Sequence, residues 1–247
     1  MPSPTTDNPQ PLFTMFSLLT RILEIIAPRT CAVCGNRLTL EEHSVCGYCL
    51  RKIPYTNYQI NPKSNDLAKI FWHLLPIENA AALFFYYSHS DTAKIIYDLK
   101  YHNKPEIGTD LGHFAAEWFS KSNFFDGIDA IIPIPLAKKR LRHRGYNQSF
   151  EIAKGIQQVT DLPIMNDVVV RTEFKDSQTH LQIHERQENV KNAFLLKNAE
   201  SIAGKHILLV DDIVTTGATI LSCGQELCKA GDVKISVFTL GKVSNSY

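Results

Sequence analysis

The chain has 247 residues, enough for one sizeable domain with a smaller one beside it, and its 44% hydrophobic and 21% charged content is that of a globular protein. A formal net charge of +1 excludes a global field that would draw nucleic acid or a membrane surface, so any such affinity must come from a local patch. No apolar run reaches the roughly 18–20 residues of a membrane span, and a cytoplasmic protein is expected.

Residues 1–14 read as a disordered tail, with four prolines among small polar residues. "MFSLLTRILEIIA" (15–27) is interrupted by Arg21 and Glu24 and lacks a basic leader and an A-x-A site. It predicts an amphipathic helix packed on its own domain rather than a signal peptide. A cysteine-rich segment follows, then a polar stretch, 54–66, that reads as a linker closing an N-terminal unit of 15–66. Residues 67–247 form the second unit. Strands are expected at 80–87, 128–135, 167–172, 193–196, 206–210 and 232–241, with helices at 91–101, 108–120, 148–159 and 219–230. Apolar strands alternating with helices imply an α/β fold, a parallel sheet flanked by helices.

The cysteines are spaced C-x₂-C, eleven residues, C-x₂-C: Cys31, Cys34, Cys46 and Cys49. Two such knuckles can present four thiolates tetrahedrally, which is what structural Zn²⁺ requires. The site would be closed, and His43 between the knuckles is not needed as a ligand. Cys223 and Cys228 read as core residues of the last helix.

In "HILLVDDIVTTGAT" (206–219) a buried strand runs into two adjacent acids, Asp211 and Asp212, which repel each other and are costly to bury. The turn Thr215, Thr216, Gly217, Ala218, Thr219 then leads directly into a helix. Helix-start N–H groups, threonine hydroxyls and a glycine that permits close approach make a phosphate cradle. A sugar phosphate fits, with its hydroxyls on the carboxylates and a bound Mg²⁺ easing their repulsion. A receiver domain also pairs acids after a strand, but needs more chain downstream than remains here.

The stretch 206–219 resembles the phosphoribosyl pyrophosphate (PRPP) motif of type I phosphoribosyltransferases. "PIPL", "RGYNQ", the segment 173–192 and "ILEIIAPRTCAVCG" resemble the ComF family of competence-associated proteins. The resemblance implies a transferase-like domain with a hood at about 80–125 and a core at about 126–247, carrying a small N-terminal four-cysteine zinc domain. It implies that Asp211 and Asp212 hold ribose and Mg²⁺ and that 215–219 hold the 5′-phosphate. A basic loop, Lys138, Lys139, Arg140, Arg142, Arg144, Gly145, Asn147 and Gln148, would face pyrophosphate. Gln178, Arg186 and Asn189 would lie on a flexible loop that closes over PRPP. The hood aromatics Phe84, Phe85, Tyr86 and Tyr87 either stack on a base or pack a core. Two functions stay open: handling of single-stranded DNA with other DNA-uptake proteins, as ComF-like proteins imply, or phosphoribosyl transfer to a nucleobase-like acceptor. The sequence identifies no catalytic residue.

Overall fold

The computed structural model describes residues 28–172 and 193–244. The expected tail and first helix, and Gln178, Arg186 and Asn189, lie outside the described residues. Strands follow in chain order: β1 (Ile77–Tyr86), β2 (Ala130–Pro133), β3 (Val169–Arg171), β4 (Phe194–Leu196), β5 (His206–Val214) and β6 (Lys234–Val243). The helices are α1 (Gly47–Lys52), α2 (Asp66–Phe71), α3 (Asp91–Tyr101), α4 (Glu106–Phe119), α5 (Lys138–Arg144), α6 (Gln148–Thr160) and α7 (Ala218–Leu227).

Four strands form one parallel sheet in the order β1–β6–β5–β2, and β3 pairs with β4 as a separate antiparallel ribbon. Both faces of the sheet are covered, which is why its strands are apolar runs rather than alternations. Leu208 and Val210 of β5 join a cluster with Leu99, Leu111 and Ile152 from α3, α4 and α6. Their neighbours Ile207 and Leu209 face Phe71, Ile220 and Leu227 from α2 and α7.

β5 runs four residues past its expected end. Asp211 stays in register with Thr239, and Ile213 and Val214 pair with Gly241 and Lys242 on the long β6. The expected basic loop is instead the short helix α5, built from good helix formers and closed by Gly145 at φ +82°. The 54–66 stretch lies along β1: Thr56 N–H donates to Leu83 O, Phe85 N–H donates to Pro54 O, and Gln59 and Asn65 are buried. Phe84 is fully buried in the core.

One helix contact positions the site. A Cβ at Gly155 of α6 would lie 2.0 Å from Thr109 O of α4, so the two backbones touch. That close approach seats α6 on α4, and the first residues of α6 meet the carboxyl edge of β5 through Ser149.

Candidate functional site

Asp211 and Asp212 point to opposite sides of β5, as adjacent strand residues must. Asp211 Oδ1 accepts from Ser149 Oγ at 3.0 Å and from Asp212 N at 2.9 Å. Asp212 is buried, and its Oδ1 is 3.1 Å from Lys100 Nζ of α3. Burial, then the Asp212 charge, pushes the Asp211 carboxyl up to about 7, against the pull of Ser149 and Lys100. A divalent cation beside the pair would relieve both effects, so the residues present suit one.

Past Val214 the chain turns through Thr215 and Thr216, both exposed, to Gly217. Gly217 is the N-cap of α7 at φ +79° and offers no side chain to the first amides of that helix. Residues 213–220 and Asp211 line a cavity of about 40 Å³. That is room for about three waters, the scale of a phosphate group. The glycine answers two demands. A Cβ there would sit 2.7 Å from Ile70 Cγ2 and 3.0 Å from Phe71 Cε1, so α2 packs against it as closely as a ligand would.

The "RGYNQS" residues are split in role. Asn147 caps α6, accepting from Ser149 N at 3.1 Å and donating to Ile134 O at 3.0 Å. Gln148 is buried, accepts from Arg144 Nη1 at 2.7 Å, and leaves its Nε2 without an acceptor. Lys138, Lys139, Arg140 and Arg142 are exposed on α5 and make no ion pair among the described residues. Arg144 is half-buried, its guanidinium 5.2 Å from the centre of the Tyr101 ring.

Lys100, Ser149 and Arg171 were missed by sequence reasoning. Ser149 sits one residue past the quoted motif. Lys100 flanks the apolar face of α3, but nothing in the sequence says that this face meets β5. Arg171 on β3 is half-buried, and burial, then the Arg140 charge, lowers its pKa while Asp211 raises it. The ribbon thus adds a cation to the field of the acid pair.

The cysteines form a second site. The Sγ atoms of Cys31, Cys34, Cys46 and Cys49 all lie within 4.8 Å of one another, and Cys34 and Cys46 are 3.8 Å apart. Zn–S bonds of about 2.3 Å in a tetrahedron put sulfurs about 3.8 Å apart, whereas a disulfide needs about 2.05 Å. Burial raises the Cys31 pKa, but N–H donors from Cys46, Cys34 and Val33 outweigh it and bring the thiol down to about 7. Burial pushes Cys49 up. The cluster can therefore hold a metal such as zinc.

Comparison with known proteins matches these features. The chain is 35% identical to competence protein F of Haemophilus influenzae over 115 residues, 46% of this chain and 50% of that one. It therefore spans half the length of that relative. It is 27% identical to the DNA utilization protein YhgH of Escherichia coli K12 over 213 residues, 85% of this chain and 82% of that one. The resemblance to ComF-like proteins is thus borne out. A solved structure of the allosteric regulatory enzyme of purine biosynthesis aligns with 57% of this chain and 29% of its own, at 15% identity and a TM-score of 0.40. The profile described as "Phosphoribosyl transferase domain" matches residues 99–242, more than half of the chain and the whole of the acid pair and its turn. The parallel sheet, its flanking helices and this match together place the chain in the phosphoribosyl transferase domain family.

Proposed function

We propose that this chain binds PRPP with Mg²⁺ at the carboxyl edge of β5, and that it works in the cytoplasm in the handling of single-stranded DNA during DNA uptake. The carrying observation is the acid pair on β5 leading through the short turn Thr215–Gly217 into the start of α7, where the N-cap Gly217 has no side chain to cap the helix. In this reading Asp211 and Asp212 accept from the ribose hydroxyls and hold the cation, while 215–219 take the 5′-phosphate. Mg²⁺ supplies positive charge to the acids and to the pyrophosphate. Gln148 Nε2, which lacks an acceptor, and the exposed cations of α5, which make no ion pair among the described residues, are suited to the pyrophosphate oxygens. Zinc on the four cysteines fixes the knuckle. The DNA role draws its support from the names of the relatives.

A second reading, phosphoribosyl transfer to a nucleobase-like acceptor, is favoured by one observation. A cavity of about 810 Å³ beside Lys100 and Thr215 adjoins the proposed ribose site.

Calorimetry of folded protein with Mg²⁺ and PRPP tests the pocket. Asp212→Asn removes a charge-assisted bond of about 1.5–3 kcal/mol, so its affinity falls about 10- to 150-fold. No heat from wild type discards the assignment. Pyrophosphate release with a panel of nucleobases tests the second reading.

A further inference from the structure

α3 buries Thr92, Ile95, Ile96 and Leu99, and turns Lys100 to Asp212. Its outer face carries two tyrosines that the core does not use. Tyr97 and Tyr101 are 54% and 56% exposed, one helical turn apart, with ring centres 4.9 Å apart. Tyr101 also lies under the Arg144 guanidinium, at 5.2 Å, and Arg144 is the last residue of α5. From there α5 extends about 10 Å, carrying Lys138, Lys139, Arg140 and Arg142 into solvent. Tyr97 also meets His102 edge-on at 5.1 Å, so the two half-exposed rings stand in a fixed stack. They pass directly into a row of cations that make no ion pair among the described residues, on a protein whose net charge is only +1.

That combination recognises a single-stranded nucleic acid. Bases need exposed π-faces to stack on, phosphates need a cationic track, and a duplex with its bases already stacked cannot use the first. Folded protein partners also favour Tyr and Arg, but the cores of their interfaces are depleted in charge and in Lys, whereas α5 sets Lys138, Lys139, Arg140 and Arg142 in one row beside the rings. We propose that Tyr97 and Tyr101 are a stacking platform for bases of single-stranded DNA, whose backbone continues over Arg144 and α5. The proposal rests on the DNA-handling reading and gives it a surface. It also puts the strand beside the cavity that Tyr97, Lys100 and Thr215 share, next to the acid pair.

The test is fluorescence anisotropy of the full chain with labelled oligo-dT, at salt between about 50 and 200 mM. Wild type is expected to bind with a slope of about −3 in log K against log salt, for about four phosphates neutralised. Tyr97→Ala and Tyr101→Ala each weaken binding by about 5- to 150-fold at unchanged slope, because stacking releases no counterions. Tyr101→Phe keeps the ring and retains wild-type affinity. Lys138→Ala with Lys139→Ala and Arg140→Ala flattens the slope by about two units. Both tyrosines are more than half exposed, so these variants fold.

If wild type binds but the tyrosine variants bind equally well, or if duplex competes as strongly as single strand, the platform is refuted and the DNA reading stands. If wild type does not bind even at low salt, both fall together, and the PRPP assignment is untouched.

Discussion

Replacing Gly217 by alanine places a methyl group where α2 already packs. The new Cβ stands 2.7 Å from Ile70 Cγ2, 3.0 Å from Phe71 Cε1 and 3.1 Å from Phe71 Cζ. The backbone is also held at φ +79°, where an L-residue costs about 1–2 kcal/mol. Overpacking a buried contact adds about 1–3 kcal/mol, so the expected loss is about 2–5 kcal/mol. Denaturant unfolding of full-length protein measures it. The two contributions separate in a double mutant: trimming Ile70 to alanine in the Gly217→Ala background removes the nearest clash and leaves the φ cost. A coupling energy of about 1 kcal/mol or more is expected between the two sites. A Gly217→Ala variant of wild-type stability, or one that Ile70→Ala makes worse additively, would falsify the view that α2 dictates this glycine.

Other outcomes follow from the same geometry. Asp211 is held at about 7 in the fold, so its ionisation weighs against folding as pH rises from about 4 through 7. Ligand-free Asp211→Asn is therefore expected to melt above wild type near pH 8 but not near pH 4, while losing PRPP affinity; equal melting at both pH values defeats this. His206 is buried between Gly127 O and Ser236 Oγ, and burial keeps its pKa below the ordinary 6.5. Its contribution to stability is complete above 6.5 and is lost as pH falls through the folded pKa, so urea midpoints should decline with acid less steeply in His206→Gln. Metal analysis is expected to find one zinc per chain. Chelation should lower the melting of the whole chain in one transition, because Cys31, Cys46 and Cys49 belong to the same core as Leu111 and Phe119. Protein free of zinc when purified without chelators ends that assignment.

The parts of this fold that a sequence announces are those decided by local pattern. The run Ile207–Val210 could only be a doubly covered strand, and the 91–101 helix was legible to the residue because Ser90 caps it and one face is apolar. Asp211, Asp212 and Gly217 stood out because two acids and a flexible turn after such a strand have no use in a core. What stayed hidden depends on contacts between distant segments. Lys100 meets Asp212 across 112 positions, and Ser149 meets Asp211 across 62. No periodicity encodes either. The resemblance to the transferases makes 138–144 a loop, although six of its seven residues, all but His143, are good helix formers. The strand aromatics divide: Phe84 is core, while Phe85, Tyr86 and Tyr87 are half-buried and Tyr86 lines the same cavity as Tyr97 and Tyr101, the more exposed rings of α3 that fall outside its apolar face.

Cutting the chain after Ile53 would not yield two sound fragments. Ser44 Oγ donates to Asp110 of α4, and Cys31, Val33 and Ile53 share one apolar cluster with Leu111 and Phe119. α4 is in turn seated on α6 at Gly155, and α6 starts at the residues that grip Asp211. A fragment beginning at Pro54 would bare the α4 side of that cluster to water, and its most sensitive reporter would lie at the far end of this relay, in the orientation of Ser149. Engineering a minimal version of the protein therefore means keeping the cysteine knuckle, even for work concerned only with the sheet edge.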